Sequence, residues 1–192
     1  MGLTILSFGL LGLSAQQISQ HKVIPMVITV GATSGEAQVL GKAGTGTYAP
    51  GEPQIRYFLI QFIKFVRGVP SDSVVIKDNW LKAYRFLRSE AAQTLNLITN
   101  GDDAGPLKKI GQETVAVQPI SVLFVQGSNS YQARWSETVY DKDGIATDTY
   151  TMTGLFTIEI EPPSTEEAVL VNPLGIFIKS FQWNRDLGEA KK

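Results

Sequence analysis

Apolar residues along this chain follow two different periods, one in each half. In the first half, Ile55, Phe58, Leu59, Phe62, Ile63 and Val66 recur three and four residues apart. That spacing puts them on one stripe of a helix over Ile55–Arg67. Pro53 suits the first turn of that helix, and Gly68 and Pro70 end it. Ser71 or Asp72 is placed to cap a second helix, which carries Trp80, Leu81, Tyr84 and Leu87. A third helix follows from about Ser89, with Ala91, Ala92, Leu95 and Ile98 inward, and stops in Asn100-Gly101-Asp102-Asp103.

In the second half the period becomes two. Tyr131, Ala133, Trp135 and Val139 alternate with Gln132, Arg134, Ser136 and Thr138, the signature of a half-buried strand. Asp143-Gly144 is a hairpin turn. The next strand sets Tyr150, Met152, Phe156, Ile158 and Ile160 against a row of threonines. Gly154 interrupts its apolar face and is expected to mark a bulge or bend. Thr114–Val125 reads as the preceding strand, and Pro119 assigns it to an edge or a bulge. Pro162-Pro163 closes the run, and Ser164-x-x-Glu167 reads as a capping box for a helix of about two turns. After Gly175, Phe177, Phe181 and Trp183 share one face of a last strand, with Ile176 and Ile178 on the other. Both faces would then be apolar, so this strand is either covered twice or offers a face to a partner.

Ahead of the helices, Val23–Val30 reads as a strand and Ala37–Leu40 as its hairpin partner. The loop Gly41–Pro53 is rich in glycine, but its GKAGTGT does not meet the phosphate-loop pattern. The order of short β segment, helices and then antiparallel strands predicts an α+β fold with helices on one face of a curved sheet.

The N-terminus changes this picture. Leu3–Ala15 is uncharged and strongly apolar, about 13 residues against the ~20 that span a bilayer. A signal peptide would carry basic residues in Met1–Thr4, where there are none, and a small residue at Leu13. A buried helix and the outer part of a transmembrane anchor are the other two readings, and the anchor is favoured. The chain accordingly divides into an anchor over 1–20 and a folded domain over 21–192.

Composition excludes several chemistries. The 192 residues include no cysteine and a single histidine, His21, next to the apolar segment. Disulfides, thiolate nucleophiles and multi-histidine metal sites are therefore excluded, and no cofactor is expected. One enzymatic possibility survives: a carboxylate acting as a base in a pocket of the sheet, with Glu113, Glu137 or Glu159 as candidates. Glu137 has the inward parity of Tyr131 and Trp135. Net charge is −1, yet it is unevenly spread. Ile55–Ser89 holds seven bases against two acids, and Ser136–Leu170 eight acids against one base. Such a division suits solvated faces or complementary surfaces that orient a neighbour. Arg85 and Arg88 lie in the basic part, but no aromatic–basic interleaving marks a nucleic-acid site.

The end of the chain carries the most specific pattern, PPSTEEA followed by NPLGIFIKSFQWNRDL. Asn172, Pro173 and Gly175 occupy the first, second and fourth corners of a type I turn, and Asn172 before proline leaves the helical region. Together with VIPMVITV, KDNWLKAYRFL and YQARWSETVY in the same order, this segment resembles the TrbF-type conjugal transfer proteins. Those belong with the VirB-eight-like inner-membrane scaffolds of type IV secretion systems. The resemblance covers His21 to Leu187. It implies a nuclear-transport-factor-two-like cone on a single membrane helix, with the C-terminal domain in the periplasm and no catalysis. It further implies self-association and contacts with a VirB-ten-like envelope-spanning protein and with inner-membrane channel and ATPase components. No direct nucleic-acid binding is expected. Its interaction motif falls on Asn172, Pro173, Leu174 and Gly175. The turn itself either presents Leu174 outward on a rigid corner or sets it inward as a plug of the core.

Overall fold

A computed structural model describes residues 26–30, 37–42, 50–100 and 109–186. The anchor reading over 1–20 and His21 lie outside these residues. Strands β1 (Met26–Val30) and β2 (Ala37–Lys42) pair antiparallel as a two-stranded sheet. Helix α1 (Glu52–Arg67) starts one residue before Pro53 and buries Ile55, Leu59, Phe62, Ile63 and Val66, the stripe read from the spacing. Helix α2 (Ser73–Tyr84) is capped by Asp72, whose side chain accepts a hydrogen bond from the Val74 amide at 2.8 Å. It buries Ile76, Trp80 and Ala83, leaves Leu81 exposed, and ends before Leu87. Helix α3 (Ser89–Asn100) turns Ala91 and Leu95 inward. The Tyr84 hydroxyl reaches Asn96 Oδ1 at 2.5 Å and ties α2 to α3.

The second half folds into one antiparallel sheet in sequence order: β3 (Thr114–Val125), β4 (Ser130–Tyr140), β5 (Ala146–Ile160) and β6 (Ile176–Arg185). Helix α4 (Glu166–Val171) lies between β5 and β6 in the chain. Both expectations for Pro119 hold. It sits on edge strand β3, and the β3–β4 register slips between Pro119 and Ser121. A missing N–H costs nothing where no ladder bond is made.

Three expectations are corrected. No slip falls at Gly154, which pairs squarely with Ala133 and Trp183. A Cβ there would stand 2.9 Å from the Phe156 ring, so the glycine makes room for an aromatic side chain. The cap of α4 is Thr165, whose hydroxyl accepts from the Ala168 amide at 3.1 Å, where Ser164 was expected. Finally, β6 does not present two apolar faces. Thr157 pairs with Ser180 but Ile158 with Ile178, so Lys179 is an extra residue bulged out of β6. One inserted residue reverses side-chain parity. Ile176, Ile178, Phe181 and Trp183 therefore all face inward, and only Phe177 faces out.

The core lies between this sheet and the helices. Across its inner face, Phe124, Tyr131, Phe156 and Phe181 are register neighbours on four successive strands. Phe62 of α1 meets two of them edge-on, Phe156 at 6.2 Å and Phe181 at 5.9 Å between ring centres. Edge-to-face contacts of this kind add to what burial alone provides. At the far end of α1, Val69 exchanges both backbone hydrogen bonds with Val115 of β3, at 2.9 and 3.1 Å. Phe86 and Arg88 bond likewise to Ile178 of β6, at 2.9 and 3.0 Å. The helices are thus stitched to both edges of the sheet.

Candidate functional site

The corner before the last strand is built from backbone outward. Thr165 starts α4, and Asn172 ends it by donating its amide to the Ala168 carbonyl at 2.8 Å. Asn172-Pro173-Leu174-Gly175 then closes as a turn, with the Gly175 amide bonded to the Asn172 carbonyl at 3.0 Å. The Asn172 side chain is buried. Its amide group donates to the Ile176 carbonyl at 2.8 Å, and its oxygen accepts from the Ile176 N–H at 3.3 Å. Gly175 has φ of 60°, and a Cβ on it would overlap the carbonyl oxygen of Glu161. The Glu161 amide in turn donates to the Gly175 carbonyl at 2.8 Å. Asparagine, proline and glycine therefore each have a separate geometric reason at their positions.

Leu174 follows the second of its two alternatives: it is half-buried and packs against the core. The apolar side chain that this corner offers to solvent is Leu170 of α4, 80% exposed. Helix α4 buries none of its residues. Beside it runs a groove of about 390 Å³ lined by Arg85, Glu161, Pro162, Pro163, Glu167 and Asn172. Glu166 and Glu167 are exposed at its rim. Arg88 packs on Phe177 and Glu161, two of the groove's lining residues. Its guanidinium lies 3.9 Å above the Phe177 ring, 2.7 Å from Glu159, and bonds Glu161. The outward aromatic of β6 is thus covered by an arginine from the α2–α3 connection.

The buried carboxylate singled out by parity, Glu137, does point inward and is 1% exposed. Arg67 of α1 binds it with two nitrogens, at 2.7 and 2.8 Å. Trp135 Nε1 donates at 2.8 Å and the Tyr150 hydroxyl at 2.9 Å. Burial alone would raise this carboxyl, but the hydrogen bonds and charge of Arg67, with those two donors, hold it below the ordinary carboxylate value. The same burial and the neighbouring anion push Tyr150 up to about 12. An anion this fully bonded is a weak base. The other two carboxylate candidates are at the surface in ion pairs, Glu113 with Lys109 at 2.9 Å and Glu159 with Arg88. The three candidates are not brought together. Among the described residues no group of three or more His, Asp or Glu could hold a metal ion, and no helix is long and apolar enough to cross a membrane.

Two partners escaped the sequence reading. Arg67 pairs across seventy residues with Glu137, and Arg88 covers Phe177 from a different element. The available signal was a basic residue at the end of a helix, which is also what an ordinary C-terminal charge preference produces.

With this geometry in place, comparison with known proteins gives a consistent result. A family model described as VirB8 protein matches residues 1–186. The conjugal transfer protein TrbF of Rhizobium radiobacter is 28% identical over 194 aligned positions, covering 97% of this chain and 83% of that protein. Among solved structures, a TrwG component of a type IV secretion system from Bartonella birtlesii aligns with a TM-score of 0.62 at 18% identity, over 74% of this chain and 98% of its own. VirB8 of Agrobacterium tumefaciens aligns with a TM-score of 0.62 at 16% identity, over 72% and 95%. At those identities the structural likeness speaks for the α+β fold.

Proposed function

The chain belongs to the VirB8 protein family, and from that premise we propose that it is a structural component of a type IV secretion channel for conjugal DNA transfer. In this reading residues 1–20 anchor it in the bacterial inner membrane, and 21–192 form a periplasmic, nuclear-transport-factor-two-like scaffold domain. It self-associates and binds other channel subunits, among them a VirB-ten-like envelope-spanning protein and inner-membrane channel and ATPase components. It does no bond-making chemistry and does not touch DNA itself. The observation that carries the reading is a family match running from the first residue to 186.

The corner formed by Asn172, Pro173, Leu174 and Gly175 is the proposed contact for another subunit. Supporting this, its backbone is fixed by five hydrogen bonds at 2.8–3.3 Å, and it holds Leu170 in water beside an open groove. A rigid exposed corner binds with less ordering cost than a mobile loop. In place of Leu174, Leu170 becomes the side chain that reaches the partner, flanked by Glu166 and Glu167.

A small-molecule-binding or isomerase-like domain is the alternative. Its candidate base, Glu137, is fully committed to Arg67, Trp135 and Tyr150, which favours the scaffold. The test is co-purification of the full chain carrying two distinguishable tags, together with its secretion subunits, from cells assembling the channel. Leu170→Asp is expected to reduce recovery of another subunit while leaving the circular dichroism spectrum unchanged. Full recovery with Leu170→Asp would remove the corner from the contact. No recovery of any partner by the unsubstituted chain would contradict the scaffold itself.

A further inference from the structure

A sheet edge is an open template, and folded proteins guard it with charge, proline, a bulge or a covering segment. This sheet has two edges, β3 and β6. Edge β6 is covered at Ile178 by the α2–α3 connection, through the backbone bonds of Phe86 and Arg88, and beyond it carries the Lys179 bulge and the charged Arg185. Edge β3 is guarded over its first half only. Val69 pairs with Val115 from outside, and Pro119 with the register slip that follows it blocks the middle. From Ser121 to Val125 no further guard is found among the described residues. The whole of β3, TVAVQPISVLFV, contains no charged residue. In its open part Leu123 is 55%, Phe124 41% and Val125 38% exposed. Among the described residues this half of the edge is uncharged, apolar and unpaired, which needs an explanation.

We propose that Ser121–Val125 pairs antiparallel with the same segment of a second copy of this chain, about a two-fold axis at Leu123. Antiparallel pairing of identical strands is self-complementary by symmetry. Charges placed on such a segment would repel directly across the axis, and this one carries none. The pairing joins two four-stranded sheets into one and closes the open half of β3 in each. Leu123 meets its symmetry mate on the outer face, in the same cross-strand row as Gln132 and Leu155. Five residues bury far less than the about 1,200–2,000 Å² of a free-standing complex. The contact is therefore weak in dilute solution and operates where copies are already concentrated. It rests on the scaffold reading above and gives it a specific self-contact, separate from the α4 corner.

Because the chain has no cysteine, single-cysteine variants of the full chain report this contact cleanly. Under copper–phenanthroline oxidation, Leu123→Cys is expected to give a disulfide-linked dimer. Leu97→Cys, more exposed than Leu123 but on α3, gives none. In sedimentation, Leu123→Lys and Leu123→Glu should each lose the dimer, and an equimolar mixture of the two should regain it. If Leu123→Cys cross-links no faster than Leu97→Cys, or the mixture stays monomeric while the unsubstituted chain self-associates, the edge contact is overturned and the scaffold reading stands. If the unsubstituted chain is monomeric at every concentration, both fall. Leu123-dependent flotation with phosphatidylglycerol vesicles, without cross-linking, would assign the patch to lipid and overturn the proposal.

Discussion

A carboxylate removed from water must find donors for its oxygens, and Glu137 has four hydrogen bonds from three side chains. Two come from Arg67, so the pair also clamps the C-terminal end of α1 to β4. Removing one member of such a pair strands the other charge, which costs about 3–5 kcal/mol. Glu137→Ala should therefore lower the unfolding free energy by that order in urea titrations, and the double change Arg67→Met, Glu137→Leu should recover most of it. The pH sign follows from the lowered carboxyl. The folded state binds the proton less readily than the unfolded state, whose Glu ionises near about pH 4.3. The stabilisation is present above that pH and is lost as pH falls through the lower folded value. Glu137→Gln should flatten the acid limb of stability against pH; an unchanged limb would show that other carboxylates set it. Gly175 is the second decisive residue. Its positive φ and the Glu161 carbonyl beside it leave no place for a side chain. Gly175→Ala should destabilise by at least about 1–3 kcal/mol, measured by thermal or denaturant unfolding.

At the scale of elements, the helices, the strands and the terminal turn were legible because each is specified locally. The α1 stripe needs only its spacing, Pro119 only its missing N–H, and Asn172-Pro173-Gly175 only their backbone preferences. What failed was parity across β6. A bulge is one residue set by the partner strand's register, and neither Lys179 nor its neighbours announce it. Phe177, Phe181 and Trp183 looked like one face until Lys179 was taken out of the count. The same limit hid the outward exposure of Leu170 and the covering of Phe177 by Arg88, both products of how elements meet. Deleting Lys179 would restore simple alternation and turn either Ile176 and Ile178 or Phe181 and Trp183 away from the core. The expected result is loss of cooperative unfolding, followed by near-ultraviolet circular dichroism. Substituting Lys179→Ala, which keeps the bulge, should change stability little. The short α4 hangs on its cap, and Thr165→Ala should cost about 1 kcal/mol and speed amide exchange in Ala168 and Val169.

For the whole molecule, opposed charge and an open edge make different demands on assembly. Ion pairs absorb much of the charge within the fold, including Arg88 with Glu159, Arg134 with Asp186, and Arg185 with Asp148. Glu166 and Glu167 on α4 are left facing water, as are Lys77 and Arg85 on the helical side. Contacts made through those groups weaken with salt, whereas pairing of an uncharged strand does not. Self-association of the full chain should therefore retain its Leu123-dependent part at 0.5 M NaCl, where the Debye length is roughly 4 Å, while capture of other subunits through α4 declines.

The proposed role, holding a conjugative channel together, is read most directly in plasmid transfer frequency. Donor cells carrying the chain's own transfer system, deleted for its gene, are mated with and without the gene restored. Transfer should be lost on deletion and regained with the unsubstituted chain, and Glu137→Gln should restore it wherever the protein still folds. Normal transfer by the deleted donor would contradict that role.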